Sequence, residues 1–391
     1  MITPALYKNT SIVECPICGS SLNFKDKSNN RQIELLCSKC NADFPFENGS
    51  LNLIPPKIRA EICAKGILTR KIKDGFHLGK LTKDEHDLIS GILASDNMAK
   101  QYFRNVVHPT DAAWSARSYE RFEDIFVIQY LDKLLKDKKV VFIDAGSGPG
   151  RYLLLLGSKI SADSCKELKK NPETGILYRY DSSYERNLSH IIGIDYSMEM
   201  TSHSAKLLRR YGLGYCFYDR IFPINGIVQN FHLNHRMFED TYKVIVCTFQ
   251  TLGNQENHDL QVQLLKSMKN LAKPHGTIIV SVFNKKLFKS FGLKTFYGRE
   301  VKKTVGDIVT SKEDEDNFIL RTTKGVYSKW FSKGELEGLF KEAGLTNYSI
   351  MDEDSLSPIS GYEQYLKKEE QEREVFPRAI LGLAEIGHED K

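Results

Sequence analysis

The stretch Val140-Val-Phe-Ile-Asp144-Ala145 runs directly into Gly146-Ser147-Gly148-Pro-Gly150-Arg151 and then into a leucine-rich segment. An apolar run of this kind belongs to a strand buried on both faces, and such strands occur in parallel sheets covered by helices. The glycines let the chain reverse tightly and leave room for a ligand to approach the backbone. The same pattern recurs along the chain. Strand candidates at 139–144, 190–194, 226–230, 243–247 and 277–283, all but 226–230 nearly continuous apolar runs, alternate with helical stretches at 150–158, 198–211 and 258–272. An amphipathic segment over 119–137 precedes them, with Phe122, Ile125, Phe126, Tyr130, Leu131, Leu134 and Leu135 on its apolar side. This alternation predicts a doubly wound, Rossmann-like α/β sheet, whose ligands bind at the carboxyl ends of the strands.

The glycine turn does not suit a dinucleotide, because the third glycine of G-x-G-x-x-G would fall on Arg151. The form is D-x-G-x-G-x-G, with Asp144 closing the strand. After the second apolar run stands Gly193-Ile-Asp195-Tyr196-Ser197-Met198-Glu199-Met200. An acid there can accept hydrogen bonds from both hydroxyls of a ribose; its alternative role is to cap the next helix. Two further segments follow in order, Thr241 to Asn254 and Leu271-Ala-Lys-Pro274-His-Gly276 with its apolar run to Phe283.

In order and content, residues 120–350 resemble the class I S-adenosylmethionine-dependent methyltransferases. The resemblance implies that Asp144, Ala145, Gly146, Ser147, Gly148 and Gly150 hold the methionine part of that cofactor. It implies Asp195 on the ribose, with Tyr196 and Met200 flanking the adenine. Asn230 and Phe231 after the third strand, and Thr248 and Phe249 after the fourth, complete the expected cofactor set. Two positions depart from the family pattern: Lys243 stands where an acid is frequent, and His275 replaces a glycine.

Cys15-Pro-Ile-Cys18 and Cys37-Ser-Lys-Cys40 form two C-x-x-C knuckles at a spacing typical of zinc sites. Four thiolates close a tetrahedron and leave no open position, so a zinc ion there is structural. Gly19 and Asn41, which follow the knuckles, tolerate the positive φ such turns need. The unit, with its trailing F-P-F-E-N-G-S-L-N-L-I, resembles the zinc ribbon of bacterial ribosomal-RNA guanine-N1 methyltransferases. That resemblance implies RNA as one candidate partner.

Three parts are expected: a zinc ribbon over 1–55, a helical linker or cap over 56–118, and the methyltransferase domain over 119–391 with a lid-like insertion near 285–331. In the insertion, strands flank a turn at KEDEDN; Ser332 to Glu335 opens a helix ended by Gly344, a strand lies near 346–354, and the charged tail is partly helical. Extra chain at 160–189 and 212–225 is expected on the face away from the cofactor. No apolar run approaches the roughly 20 residues of a membrane span, and without a secretory leader a cytoplasmic location is expected. A net charge of +5 from 55 basic and 50 acidic residues does not demand a polyanionic partner. A small-molecule acceptor is therefore slightly favoured, with methyl transfer to nitrogen, oxygen or carbon. The alternatives are an RNA base methyltransferase that grips RNA through the ribbon, with Lys285, Lys286, Lys289 and Lys294 tracking phosphates, and a non-catalytic binding protein on the same fold. Candidate pocket residues are Trp114, Arg117, Tyr119, His232, His235, Tyr297, Tyr327 and Trp330. The sequence assigns neither a catalytic residue nor an oligomeric state.

Overall fold

The structure, a computed structural model, describes residues 12–27, 32–47, 49–64, 117–161, 180–213, 220–289, 307–323, 327–352 and 379–387, with isolated positions between 82 and 99 and Leu293. Trp114, Lys294, Tyr297 and most of the extra chain at 160–189 lie outside these residues.

The chain opens with four short strands, β1 (Leu22–Lys27), β2 (Gln32–Cys37), β3 (Asp43–Glu47) and β4 (Ser50–Asn52), paired antiparallel in sequence order. Helix α1 (Pro56–Ala64) follows, and α2 (Arg117–Leu134) leads into the main domain. There β5 (Val140–Ala145), α3 (Arg151–Ile160), α4 (Ser182–Asn187), β6 (Leu188–Asp195), α5 (Met198–Arg210), β7 (Ile221–Asn225), β8 (Tyr242–Cys247), α6 (His258–Ala272) and β9 (Gly276–Phe283) succeed one another. The five strands β5 to β9 are parallel and lie in the order β7-β6-β5-β8-β9. The order reverses between β5 and β8, which makes their carboxyl ends the switch point where open α/β sheets bind ligands.

Burial follows from the sequence pattern. Every residue of β5 and β9 is buried. Along β5 the side chains alternate: Val141, Ile143 and Ala145 join the core on one face, Val140 and Phe142 the core on the other. The second face is covered by α2, α3 and α5. The first is covered by α6 and, unexpectedly, by the N-terminal strands. Leu35, Phe44 and Leu51 belong to the same buried cluster as Ile194, Ile224 and Phe238. The two parts are also joined by backbone hydrogen bonding in register. β4 pairs in parallel with β7, with Leu51 opposite Ile224 and Asn52 opposite Asn225. Val13 forms an antiparallel bridge with Leu233. The four N-terminal strands thus extend the five-stranded parallel sheet on one side, and two antiparallel strands beyond β9 bring the described sheet to eleven.

Three expectations need correction. The third parallel strand is Ile221–Asn225, not 226–230, and Val228–Asn230 is a short 3-10 turn. Pro223 disguised it, since proline removes a ladder donor. It is tolerated because the short β4 pairs only beyond it. KEDEDN is not a plain turn: helix α7 (Lys312–Asp316) fills most of it, capped by Ser311, while Ile308 and Thr322 pair across its base. Strands β10 (Ile319–Arg321) and β11 (Tyr327–Lys329) then form a hairpin. Helix α8 (Lys333–Glu342) starts at the expected capping box on Ser332 and Glu335 and ends before Gly344 at φ 73°. Finally, the tail is not helical where described. β13 (Ala379–Ile386) lies antiparallel between β9 and β12 (Tyr348–Met351) and is nearly all buried. Gly382 invites the misreading, yet a Cβ there would sit 2.5 Å from Phe340 Cζ. Its smallness lets α8 lie close on the sheet.

Leu381→Ala should therefore cost about 2–5 kcal/mol, the range for truncating a buried leucine. The exposed Glu385→Ala should stay within about 0.5 kcal/mol. Chemical denaturation of the two variants tests this difference.

Candidate active site and thiol cluster

Gly146, Gly148 and Gly150 all have positive φ, at 83°, 51° and 85°. Two of them are fixed by neighbours. A Cβ on Gly146 would fall 2.3 Å from Thr251 Cγ2, and one on Gly150 would fall 2.1 Å from Ser204 Oγ. Gly148 faces open space, with no atom within 4 Å of the missing Cβ. The loop is pinned by Gly146 N and Ser147 N, which donate to Ile194 O at 2.8 and 3.0 Å. A ligand can therefore lie against backbone at Gly148.

Asp195 ends β6 beside this loop. Its Oδ2 accepts from Gly148 N at 2.9 Å and its Oδ1 from Ser197 N at 2.8 Å. Ser197 caps α5 by accepting from Met200 N. Asp195 thus ties the glycine loop to α5 and keeps lone pairs for further donors. Burial pushes its carboxyl up to about 6, against the pull of the two backbone amides. Asp144 is more extreme. Burial raises it to about 8; Arg151 lowers it, while Asp195, Glu123 and Asp124 raise it further. Among the described residues, the loop region accordingly holds four carboxyl groups and one guanidinium. Such surroundings favour a ligand that brings positive charge and disfavour a pyrophosphate.

Arg151 opens α3 and turns back across the carboxyl ends of the strands. Its Nη2 donates to Glu123 Oε2 at 2.7 Å and to Thr248 Oγ1 at 3.0 Å. Glu123, on α2, is 0% exposed. Its Oε1 accepts from Phe249 N at 2.9 Å and from Ser281 Oγ. One carboxylate therefore joins α2, α3, the exit of β8 and β9. The sequence carried a signal for this: Glu123 lies at helical spacing from Val127 and Leu131, both buried, on the stripe facing the core.

The turn after β8 is strained. Phe249 and Gln250 have φ of 51° and 68°, uncommon for residues with a side chain. The buried Gln250 amide locks it: Nε2 donates to Ser328 Oγ at 3.0 Å and to Lys329 O, and Oε1 accepts from Phe283 N at 2.6 Å. Strain of this kind collects at functional sites. The described part of the insertion packs here as well, with Lys329 N donating to Gly253 O at 2.9 Å. Trp330 is only 1% exposed, its ring tilted against Phe283 with centroids 4.8 Å apart and edge-on to Phe288 at 5.7 Å. Trp330 and the buried Tyr327 are packing residues of this buttress rather than open pocket walls.

Other candidates are placed as follows. Asn230 ends the 3-10 turn instead of a strand, and the residue closing β7 is Asn225, whose Nδ2 donates to Asp195 O at 3.1 Å. Phe231 is buried. His232 is exposed, and its carbonyl accepts from Glu14 N of the N-terminal unit. The side chains of Arg117, Tyr119 and His235 lie outside the described residues. Lys243 is fully buried, donates to Phe238 O, and is held below its ordinary value by burial; it sits at the amino end of β8, away from the site. Cys247 is likewise a buried strand residue whose thiol burial pushes up. A cleft of about 490 Å³ lined by Arg236, Glu239, Asn270, Lys273 and Pro274 also opens at the amino ends of β8 and β9.

At the other end of the sheet, the Sγ atoms of Cys15, Cys18, Cys37 and Cys40 all lie within 4.8 Å of one another. Cys15 and Cys40 are 3.6 Å apart, Cys18 and Cys37 3.4 Å. A tetrahedron with metal–sulfur bonds of about 2.3 Å has edges of about 3.8 Å, and a disulfide needs about 2.05 Å. The donors thus fit a tetrahedral ion. Backbone amides of Ile17, Lys39 and Cys40 point at the sulfurs from 3.4 Å. Gly19 and Asn41 take the expected positive φ, 66° and 56°.

A family model described as a methyltransferase domain matches residues 119–350, more than half of the 391-residue chain. The chain belongs to this family of methyltransferase domains. Solved structures similar to it include an S-adenosylmethionine-dependent methyltransferase from Clostridium acetobutylicum ATCC 824, at 15% identity over 69% of this chain and 92% of that one, with a TM-score of 0.39. The CcbJ methyltransferase from Streptomyces caelestis is similar at 15% identity over 75% and 97%, TM-score 0.42. A 1,6-didemethyltoxoflavin-N1-methyltransferase from Burkholderia thailandensis, with bound 1,6-didemethyltoxoflavin and S-adenosylhomocysteine, is similar at 13% identity over 81% of this chain and 98% of that one, TM-score 0.39. No curated protein matches the sequence.

Glu123→Ala should destabilise the domain by about 3 kcal/mol, the low end for orphaning one partner of a buried ion pair, because Asp124 remains 3.5 Å from Arg151 Nε. Denaturant midpoints of this variant and Glu123→Gln, which keeps the shape, measure it.

Proposed function

We propose that the chain transfers a methyl group from S-adenosylmethionine to a nucleophilic nitrogen, oxygen or carbon atom of a small molecule. The carrying observation is Asp195, an acid at the end of β6 that accepts Gly148 N while retaining lone pairs, next to a glycine loop open at Gly148. In this assignment Asp144 to Gly150 hold the methionine part, Asp195 takes the ribose hydroxyls, and Tyr196 and Met200 flank the adenine. Phe231, Thr248 and Phe249 border the remaining sides, and Asn225, at the strand end, takes the place first expected of Asn230. The acidic surroundings match the cofactor's sulfonium and ammonium charges.

When bound, the cofactor supplies an electrophilic methyl group. The chain's part is to align the acceptor and to exclude water, and alignment alone lowers much of such a barrier. The Glu123–Arg151 pair fixes the floor at Thr248 and Phe249. The insertion over 285–331 acts as a lid, with its described portion already seated on the ends of β8 and β9. Its helix α7 carries Glu313, Asp314, Glu315 and Asp316, an acidic surface that suits a neutral or cationic acceptor better than a polyanion. The four cysteines hold one structural zinc ion. RNA remains the competing acceptor because the ribbon resembles that of the ribosomal-RNA enzymes and because Lys286 and Lys289 follow β9. We assign the chain to the cytoplasm.

Asp195→Ala should weaken S-adenosylhomocysteine binding by about 1.5–3 kcal/mol, the range for hydrogen bonds to a charged group; calorimetry on the folded variant tests it, and unchanged affinity would refute the assignment. For the acceptor, the protein is incubated with methyl-labelled cofactor and a cell extract. Label should enter the low-mass fraction. Label in RNA, with binding that falls steeply as salt rises, would establish the competing acceptor instead.

A further inference from the structure

The chain between the ribbon and the matched domain carries a buried acid and an apolar cluster that the assignments above leave unused. Asp96 is 1% exposed. Its Oδ1 accepts from Ser197 Oγ at 2.5 Å and lies 3.3 Å from Glu199 N. It therefore grips the first turn of α5 from outside, directly behind Asp195. Nearby, Ile54 from the end of the ribbon, Ile58 and Ile62 of α1, Ile89, Ile92 and Ile227 form one buried cluster. Tyr196 packs against this cluster and hydrogen-bonds Ser95.

The cluster is itself held by the ribbon. Arg59 of α1 pairs with Asp43 of β3 at 2.9 Å, and Lys57 pairs with Glu85 at 2.8 Å. The turn at Gly49 approaches α5 so closely that a Cβ would lie 3.2 Å from Ala205 Cβ. Leu53 N donates to Asn225 O at 2.7 Å, on the strand whose Gly226 N donates to Asp195 O at 2.9 Å. The route from Cys37 to Asp195 is thus a sequence of packed strands and backbone hydrogen bonds.

We propose that the ribbon, helix α1 and the described residues Ile89, Ile92, Ser95 and Asp96 are a working wall of the cofactor site: Asp96 positions the Asp195–Ser197 turn, the isoleucine cluster fixes Tyr196, and the thiol-bound metal holds both in register. Methyl-donor affinity is then governed by the metal state of a centre that takes no part in the chemistry. Removal of the metal from the four cysteines by a chelator loosens β4 and with it the adenosine side of the site. The methionine side, anchored by Glu123 and Arg151, keeps its structure. This rests on the placement of the ribose at Asp195 and extends it.

The test uses full-length protein loaded to one zinc per chain, confirmed by elemental analysis. S-adenosylhomocysteine and adenosine affinities are measured by calorimetry for wild type, Asp96→Ala, Asp195→Ala and chelator-treated protein. Asp96→Ala and zinc removal should each weaken both ligands about tenfold, roughly one charged hydrogen bond. Hydrogen exchange keeps the outcome readable if a variant is less stable. Amides of Ser197 to Met200 and Gly226 should exchange faster on zinc removal, while those of β9 and β13 stay protected. Unchanged affinity in both Asp96→Ala and the zinc-free protein, with Asp195→Ala impaired, would overturn the proposal and leave the ribose assignment standing. Unchanged affinity in Asp195→Ala would remove that assignment and the proposal with it. Uniform loss of protection across β9 and β13 would also overturn it, by showing general unfolding instead of a local wall.

Discussion

The Asp195 carboxylate is the point on which the site depends. Its two oxygens hold the backbone of the glycine loop and of the first turn of α5, and its own carbonyl receives Asn225 Nδ2 and Gly226 N. Three segments from three crossovers therefore converge on one residue. None is held there by apolar packing alone, because each offers backbone at that level. A half-buried charge facing no described cation is an expensive organiser. That cost is offset when a ligand brings hydroxyl donors and positive charge, so the free protein is poised to bind.

The Glu123–Arg151 pair does the corresponding work on the other side of the switch point. It fixes where α2 lies over the sheet and where β8 turns, and it leaves Phe249 and Gln250 in a conformation their side chains do not favour. The amide of Gln250 then transmits this geometry to β9 and β11. Rigid support below and a packed buttress above give the acceptor region a fixed floor, as a reaction governed by alignment requires.

Much of this was legible in the sequence, for identifiable reasons. The buried parallel strands read as unbroken apolar runs, and the glycine loop and Asp195 read as a site because glycine spacing and an acid at a strand end have few other uses. The knuckles were legible from thiol spacing, and Ser332 from its partner three residues on. What escaped depended on distant contacts. Pro223 is compatible with a strand only because β4 is so short. Gly382 belongs in a strand because Phe340 lies over it. Glu123 is charged, and what buries it, its contacts with Arg151, Phe249 N and Ser281, lies far along the chain. The parallel pairing of β4 with β7 has no local signature at all, since a three-residue strand carries no periodicity.

That pairing and β13 also shape how the chain reaches its native state. Leu51 meets a strand roughly 170 residues further along, and β9 cannot gain its outer neighbour until residues 379–386 are available. Contacts so remote in sequence must close long loops before they return any stability, which makes them slow to form. During that interval both flanks of the parallel core present unpaired backbone and apolar side chains, a template for association between incomplete chains. If the N-terminal strands pair before β13 does, one flank is completed ahead of the other, which shortens the period in which the nascent sheet is open on both sides.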